Sequence, residues 1–411
     1  MYFTKLTQDE YASFIKQHSS QYTQTLEHFN YRNAHQQPVA LLGVKDDNEQ
    51  VIAAGLFTMA PIMKFFNYAY SHRGPIMDYH NIELVEYYFK SLTRYFRHQR
   101  TIFVLVDPYV VENIRNHHGD ILSSKDNSVW MSRLKKLGYH HQGFTTGYSQ
   151  FSQARWLSIL ALKGRNEEAI LEAMDYTTAR SIRKSIEMGV KVRDLSEDEF
   201  DIFYDLYRMA EKKHHFSLFS RADLKKFLST YGCMTHLKVA YLNLDEHLEH
   251  LARDWQEAET KRQELQKAVD TAPSKKKRNI LKEQEIIVNS INKRKAEAKA
   301  LYEEYGKTLY LASAIFVQTD DELTYMYSGS NPKFNRYMGN YALQWNMIRY
   351  ALDQKICRYN FFGITGDFTP QAEDYGVLDF KKGFGGHIEE LIGDFIKPVY
   401  PLLYKIYQKR L

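Results

Sequence analysis

The sequence predicts a mixed α/β (α+β) protein of two compact units, the second interrupted by an antiparallel helical arm. Three observations predict it. The chain has 411 residues, more than one hydrophobic core usually organises. Apolar strand-like runs set around turn residues alternate with helix-period stretches, and the order occurs twice. Between residues 244 and 306 the pattern changes to a charged heptad repeat without strand character.

Val39 to Val44 and Val51 to Leu56 are apolar runs on either side of Asp46-Asp47-Asn48, which reads as strand, turn and strand. A helix follows from about Ile82 to Gln99, then a buried strand from Ile102 to Val106 closed by Asp107-Pro108, then a helix ending at Leu137-Gly138. The order recurs in a helix ending at Gly189, a strand, helices within 197–230 and the strand "LKVAYLNL". Beyond the arm, "LYLASAIFVQTDDELTYMYSGSN" is again strand, turn and strand, followed by a helix from Asn340 to Lys355 and the strand "RYNFFGI". The repetition suggests a duplicated unit. Residues 1–150 form the expected first domain, 151–243 with 307–411 the second, and 244–306 the arm.

Within the arm Leu244, Leu248, Leu251, Trp255, Ala258, Leu265 and Val269 step by fours and threes, with Arg262 as a polar interruption. Ile287, Ile291, Ala298 and Leu301 resume the rhythm after Pro273. Two helices paired across that break would project on the order of 35–40 Å. Lys275, Lys276, Lys277 and Arg278 gather at the tip, which suits a solvated spacer, a dimer contact or a nucleic-acid contact.

A 44% hydrophobic and 14% aromatic composition excludes a disordered chain, and a net charge of +5 permits a polyanionic partner without requiring one. The first residues lack the apolar core of a secretory leader, so a cytoplasmic location is expected. No run approaches the ~18 apolar residues of a spanning helix. Cys233 and Cys357 lie far apart outside any Cys-x-x-Cys pattern, and the His pairs at 117-118, 140-141 and 214-215 lack ligand spacing, so neither disulfide nor metal is expected.

Arg336, Gly339 and Asn340 of "NRYMGNYALQW" precede a helix in the manner of the coenzyme A pyrophosphate loop of GNAT acetyltransferases. Tyr341 occupies the last small position and would crowd a pyrophosphate. In "YGVLDFKKGFGGHIEELIGDFIKPVY", Lys381 and Lys382 stand between Phe380 and Phe384, a cation-and-aromatic pattern that holds phosphates and bases; the alternative is a strand end. Asp107 is a candidate base or a turn-capping residue. The tail "FIKPVYPLLYKIYQKRL" alternates aromatics and bases and reads either as a membrane-surface segment or as a docked helix.

Taken together, "YSHRGPIMDY", "VLVDPY", "RSIRKSIEMGVKVR", the heptad arm, "YALQWNMIRYAL", "RYNFFGITGDFT" and "FKKGFGGHIEELIGDFIKP" resemble the Fem family (FemA, FemB, FemX, MurM and MurN) of peptidoglycan-bridge aminoacyltransferases. The resemblance spans essentially the whole chain. It implies two GNAT-like domains and transfer of Gly, Ala or Ser from aminoacyl-tRNA to the lysine, or growing bridge amine, of the lipid II stem peptide. Aminoacyl-tRNA would be a co-substrate and no cofactor is implied; a lipid-borne acceptor suggests peripheral contact with the inner membrane face. By motif the resemblance assigns Asp107 as base and Phe380 with Lys381 to the tRNA end and reacting carbonyl. It assigns Tyr325, Tyr327 and Arg32, eight residues after Gln24, to the precursor. Family members carry a basic residue and a Tyr where this chain has Phe219 and Asp223, which leaves Arg221 as a substitute. Lys381→Ala is expected to lose transfer with little loss of fold. The rival readings are a non-catalytic binder of tRNA or another partner on an acyltransferase fold, a leucyl/phenylalanyl-type transferase, and an ordinary acetyltransferase.

Overall fold

The computed structural model describes residues 1–18, 20–149, 151–214 and 219–409. The first part runs β1 (Tyr2–Lys5), α1 (Gln8–Lys16), α2 (Leu26–Ala34), β2 (Val39–Lys45), β3 (Val51–Ile62), β4 (Phe66–Ser71), β5 (Ile76–Met77), α3 (Ile82–His98) and β6 (Thr101–Val106). Then come β7 (Val111–Arg115), β8 (Ile121–Ser124), α4 (Ser128–Lys136) and β9 (His140–His141). The second part begins with β10 (Trp156–Ala161), α5 (Glu167–Ala173), α6 (Tyr176–Glu187), β11 (Val190–Asp194), α7 (Phe200–His214), α8 (Arg221–Tyr231) and β12 (Thr235–Asn243). The arm is α9 (Leu244–Thr271) and α10 (Lys275–Tyr305). The chain closes with β13 (Thr308–Gln318), β14 (Glu322–Ser330), α11 (Gly339–Asp353), β15 (Arg358–Ile364), α12 (Tyr375–Lys382), β16 (His387–Leu391), β17 (Phe395–Pro398) and α13 (Pro401–Gln408).

Local chemistry explains the elements that carry the site. Asp46 Oδ1 accepts from the backbone N–H groups of Asn48 and Gln50 at 2.9 Å, which turns the chain and sets β2 against β3 with Val44 opposite Ala53. Every residue of "TIFVLV" is buried, because β6 lies inside its sheet with β4 and β17 on its two edges. The apolar stripe of α3, including Val85, Tyr88, Phe89, Leu92 and Phe96, packs on one face of that sheet against Phe57, Ala69 and Val104. In the second sheet Leu343, Met347 and Ile348 of α11 fill the same role against Phe316, Tyr359 and Phe361.

The described strands form two sheets, ordered β1-β2-β3-β4-β6-β17-β9, with β5 on β3, and β11-β12-β13-β14-β15-β10-β16-β7-β8. The expected boundary at residue 150 does not divide them. The hairpin β7–β8 leaves the first part and pairs with β16, where Glu390 receives Arg115 Nε at 2.6 Å and Asn113 Nδ2 at 2.8 Å. In return β17 crosses from the second part and pairs antiparallel with β6, placing Phe395 opposite Val106 and covering an edge that would otherwise be open. Each sheet is completed by a strand from the other half.

The arm leaves the body between β12 and β13 and follows the heptad on its outgoing helix, with Leu251 and Ala258 buried. On the returning helix the seam is Leu281, Gln284, Val288, Ile291 and Ala298, so the expected Ile287 is half exposed, one position off the stripe. Gln284 remains in the seam because its Nε2 donates to the Ala258 carbonyl at 2.8 Å. Helices of 28 and 31 residues run about 42 and 46 Å. Leu244 N donates to Lys307 O at 2.8 Å, so the two ends of the arm already meet. Replacing residues 250–297 with a short turn, while keeping Leu301, Tyr302 and Tyr305 on their cluster around Leu309 and Leu311, is therefore expected to leave the body folded. Calorimetry should place its Tm within a few degrees of wild type.

Candidate active site at the junction of the two sheets

The segment "FKKGFGG" is not a strand end: Phe380, Lys381 and Lys382 form the last turn of α12. Lys381 is buried at 4% exposure, and its Nζ donates to the carbonyls of Gly363 at 2.7 Å and Phe362 at 3.3 Å. Those carbonyls are available because β15 bulges against β10: Gly363 faces Leu157 and Asn360 faces Ile159. Phe362 takes a φ of +70°, costly for a bulky residue, and Asn360 Oδ1 accepts its N–H at 2.8 Å. Burial pushes the Lys381 amine down to about 7, with nearby Asp374 pulling it back. Beyond the short parallel pairing of Glu322–Thr324 with Arg358–Asn360, β14 and β15 part company and leave a wedge beside this bulge. Phe380 closes over the start of α11, its ring 5.2 Å from that of Tyr341.

Asp107 follows β6 directly and is 3% exposed. Its Oδ1 accepts from Arg73 N at 2.6 Å, and Arg73 Nη1 faces Oδ2 at 3.6 Å. Burial pushes the carboxyl up to about 7, against the pull of the Arg73 guanidinium, the Arg73 N–H and the Tyr70 hydroxyl. Tyr70 accepts from Gln153 N at 3.2 Å, so its own O–H remains free to donate, and the buried Oδ2 of Asp107 has no hydrogen-bond partner among the described residues.

A chain of contacts links Asp107 to Lys381 across the segment joining the two halves. Arg73 Nη2 donates to Ala154 O at 2.5 Å, and a Cβ on Gly363 would meet the Ala154 side chain at 2.5 Å. Beneath them Tyr109 lies between two guanidiniums, with Arg73 5.7 Å and Arg358 5.5 Å from its ring centre. Its hydroxyl donates to Glu322 Oε2 at 2.8 Å, and Arg358 bridges Glu322 at 2.9 Å and Glu389 at 2.8 Å. This buried network locks the loop after Asp107 onto the foot of the wedge.

Beside Tyr70 opens a cavity of about 230 Å³ lined by Arg32, Gln37, Thr58, Ala60, Tyr68, Tyr70, His72 and residues 151–153. Arg32 is held from below: its Nε donates to His28 Nε2 at 3.0 Å and its Nη1 to Gln37 Oε1 at 3.0 Å. Because His28 accepts at Nε2, its proton sits on Nδ1, toward the Tyr231 hydroxyl; burial and the Arg32 charge keep the ring neutral. Among the described residues Arg32 Nη2 makes no protein hydrogen bond. A larger cavity of about 390 Å³, between α1 and the β13–β14 turn, contains none of the expected site residues.

Tyr325 and Tyr327 do not share a face, because a bulge sets Phe316 opposite Tyr325 but Ile315 opposite Tyr327, leaving Met326 as the extra residue. Tyr325 joins the core under α11, whereas Tyr327 joins the aromatic cluster of Tyr22, Tyr31, Phe227 and Tyr231 around Arg32. Arg221 is half exposed at the start of α8, paired to Asp201 through Nε at 2.6 Å and Nη2 at 2.8 Å, and does not line the cavity. Sequence reasoning passed over Tyr70, His72 and Arg73 as site residues, although all three lie within "YSHRGPIMDY". Among the described residues no cluster of His, Cys, Asp and Glu is arranged for a metal; His215 lies outside them.

A model of the FemAB family, described in those words, matches residues 6–409. The chain belongs to the FemAB family. FemB of Staphylococcus epidermidis (strain ATCC 12228 / FDA PCI 1200), named an aminoacyltransferase, is 38% identical over 409 residues, covering 99% of this chain and 97% of its own. Aminoacyltransferase FemA of Staphylococcus aureus (strain bovine RF122 / ET3-1) is 36% identical over 415 residues, with the same coverage. The crystal structure of FemX superposes with a TM-score of 0.82 at 20% identity, covering 99% of both chains, and so shares the fold. This FemAB-family protein is accordingly an aminoacyltransferase that shares the FemX fold, with a helical arm inserted between β12 and β13.

Proposed function

We propose that the protein builds the peptidoglycan interpeptide bridge, moving Gly, Ala or Ser from aminoacyl-tRNA to the lysine, or growing bridge amine, of a lipid II stem peptide in the cytoplasm. The observation that carries this reading is the cavity that joins a cation with an uncommitted Nη2, Arg32, to a proton acceptor behind its wall, Asp107. An acceptor bearing a diphosphate and an amine needs both groups, at two ends of one site.

Aminolysis of an ester needs the amine deprotonated, aligned with the carbonyl and an oxyanion stabilised. In this reading the amine nitrogen attacks the ester carbonyl, the new C–N bond forms, the ester C–O bond breaks and the tRNA 3′ oxygen leaves as a hydroxyl, taking the proton that Tyr70 and Asp107 return. The amine proton passes to the Tyr70 oxygen as the Tyr70 proton moves to Asp107, so Tyr70 connects the cavity to the buried carboxylate. The partly neutral Lys381 stands at the mouth of the wedge, where Phe380 and Tyr341 offer rings for the terminal base of the donor.

The test supplies labelled Gly, Ala and Ser, each on its tRNA, to lipid II with a bare lysine or a lysine already extended by one residue. Transfer in one of these pairings is expected, and Arg32→Met should raise KM for the acceptor by about tenfold or more while changing kcat little. Folded protein that binds tRNA but transfers nothing would convert the reading to a non-catalytic binder.

A further inference from the structure

The face of the first sheet that carries the cavity continues to a surface the reaction does not use. Thr58, Ala60 and Ile62 of β3 pair with Tyr70, Tyr68 and Phe66 of β4, so all six side chains share one face. One end of that face lines the cavity. The other end is covered by α13, whose Leu403, Tyr404 and Tyr407 pack on Ile62, Phe103 and Leu105. Phe103 stacks between Tyr68 at 5.2 Å and Tyr407 at 5.6 Å, and Phe66 meets Tyr400 at 6.3 Å.

Docking one side of α13 leaves its other side bare. Leu402 is 78% and Ile406 45% exposed, and Phe65, at the neighbouring β3–β4 turn, is 67% exposed. The surrounding segments 61–71, 97–106 and 396–409 contain Lys64, Arg97, Arg100, Lys397, Lys405 and Lys409 and no Asp or Glu. Six positive charges here against a whole-chain net of +5 leave the remainder of the chain at −1. Lys397 is held by the Leu137 carbonyl at 2.5 Å, and the other five bases are exposed.

We propose that this surface, α13 together with the β3–β4 turn, docks on an anionic lipid bilayer. Separate protruding apolar side chains set in a ring of bases and tyrosines fit the interfacial zone of a membrane, where apolar groups enter the acyl boundary and bases meet the headgroups. Bases without acids in these three segments disfavour a basic partner. In the docked pose the cavity opens along the same sheet face a few residues from the lipid, so an acceptor head group can reach Arg32 while its tail stays in the bilayer. That consequence rests on the function proposed above; the docking itself does not.

The full chain is sedimented with vesicles of phosphatidylcholine alone or mixed with phosphatidylglycerol, free of acceptor. Binding is expected only to the anionic vesicles, weakening with salt. Lys64→Gln/Lys405→Gln/Lys409→Gln should lower the partition coefficient about fivefold per base, and Phe65→Ser/Leu402→Ser/Ile406→Ser should lower it at least as much, both variants keeping the wild-type Tm. Equal binding to both vesicle types, no binding to either, or unchanged binding by both variants would overturn the proposal. Both variants should still match wild type on a water-soluble acceptor lacking the lipid tail; failure of wild type there would count against the proposed transfer and leave the vesicle result standing.

Discussion

Asp107→Asn lowers kcat for amino-acid transfer by about 10³-fold while the protein remains folded. In the function proposed above Tyr70 carries the proton from the cavity to this carboxyl, and an amide there cannot take the proton that the attacking amine releases. The pH dependence makes the test specific. With its carboxyl raised to about 7, Asp107 becomes a base only as pH rises through that value, so wild-type kcat/KM should climb and level off above it. The residual activity of Asp107→Asn should lack that limb. Stability moves in the opposite direction: the folded state holds a proton on Asp107 that the unfolded chain has released, so the contribution present at acidic pH is lost between the usual Asp value and about 7. Urea titrations across that window should show wild type losing stability relative to Asp107→Asn. Tyr70→Phe should follow Asp107→Asn in rate while keeping the stability slope, because it breaks the connection and leaves the carboxyl buried.

Lys381→Met abolishes most transfer, by about 10²- to 10³-fold, as expected if the transferred carbonyl draws on this amine in the proposed reaction. The choice of Met matters. Lys381 is a buried side chain holding two bulge carbonyls, so Lys381→Ala opens a cavity, takes a donor from Phe362 O and leaves Gly363 O with the longer Tyr148 hydroxyl contact at 3.4 Å, at a cost of about 3 kcal/mol. The expectation that Ala would spare the fold is therefore withdrawn, and loss of activity in that variant would report unfolding as well as chemistry. Met fills the volume without donating. The sign of the pH effect again separates the roles. An amine lowered to about 7 is neutral in the folded chain while the unfolded chain still binds its proton, so wild-type stability rises from about pH 7 toward the ordinary lysine range. Lys381→Met should lack that rise in chemical denaturation between these limits.

Much of this protein was legible along the chain. The heptad fixed the arm, since a helix stripe needs only local periodicity, and Asp46-Asp47-Asn48 fixed the first hairpin through side-chain-to-backbone hydrogen bonds within five residues. The all-apolar run ending at Asp107 marked an internal strand, and the match between the motifs of this chain and those of a family named the reaction class. Ile287 shows the limit of periodicity: an apolar residue one step from the seam cannot be told from one within it until the partner helix is in place.

The tertiary structure decided what depends on partners distant in sequence. One bulge, set by pairing between β13 and β14, sent Tyr325 and Tyr327 to opposite faces. An aspartate twenty residues away claimed Arg221. The exchange of β7–β8 and β17 between sheets has no local signal, because an exposed strand edge can be completed by any strand of suitable length. The shifted carboxyl and amine arise the same way: composition supplies Asp107 and Lys381, but burial by residues from both halves supplies the desolvation that brings each to about 7. Periodicity and turn chemistry act over a few residues, whereas burial, register and charge pairing act across the whole fold.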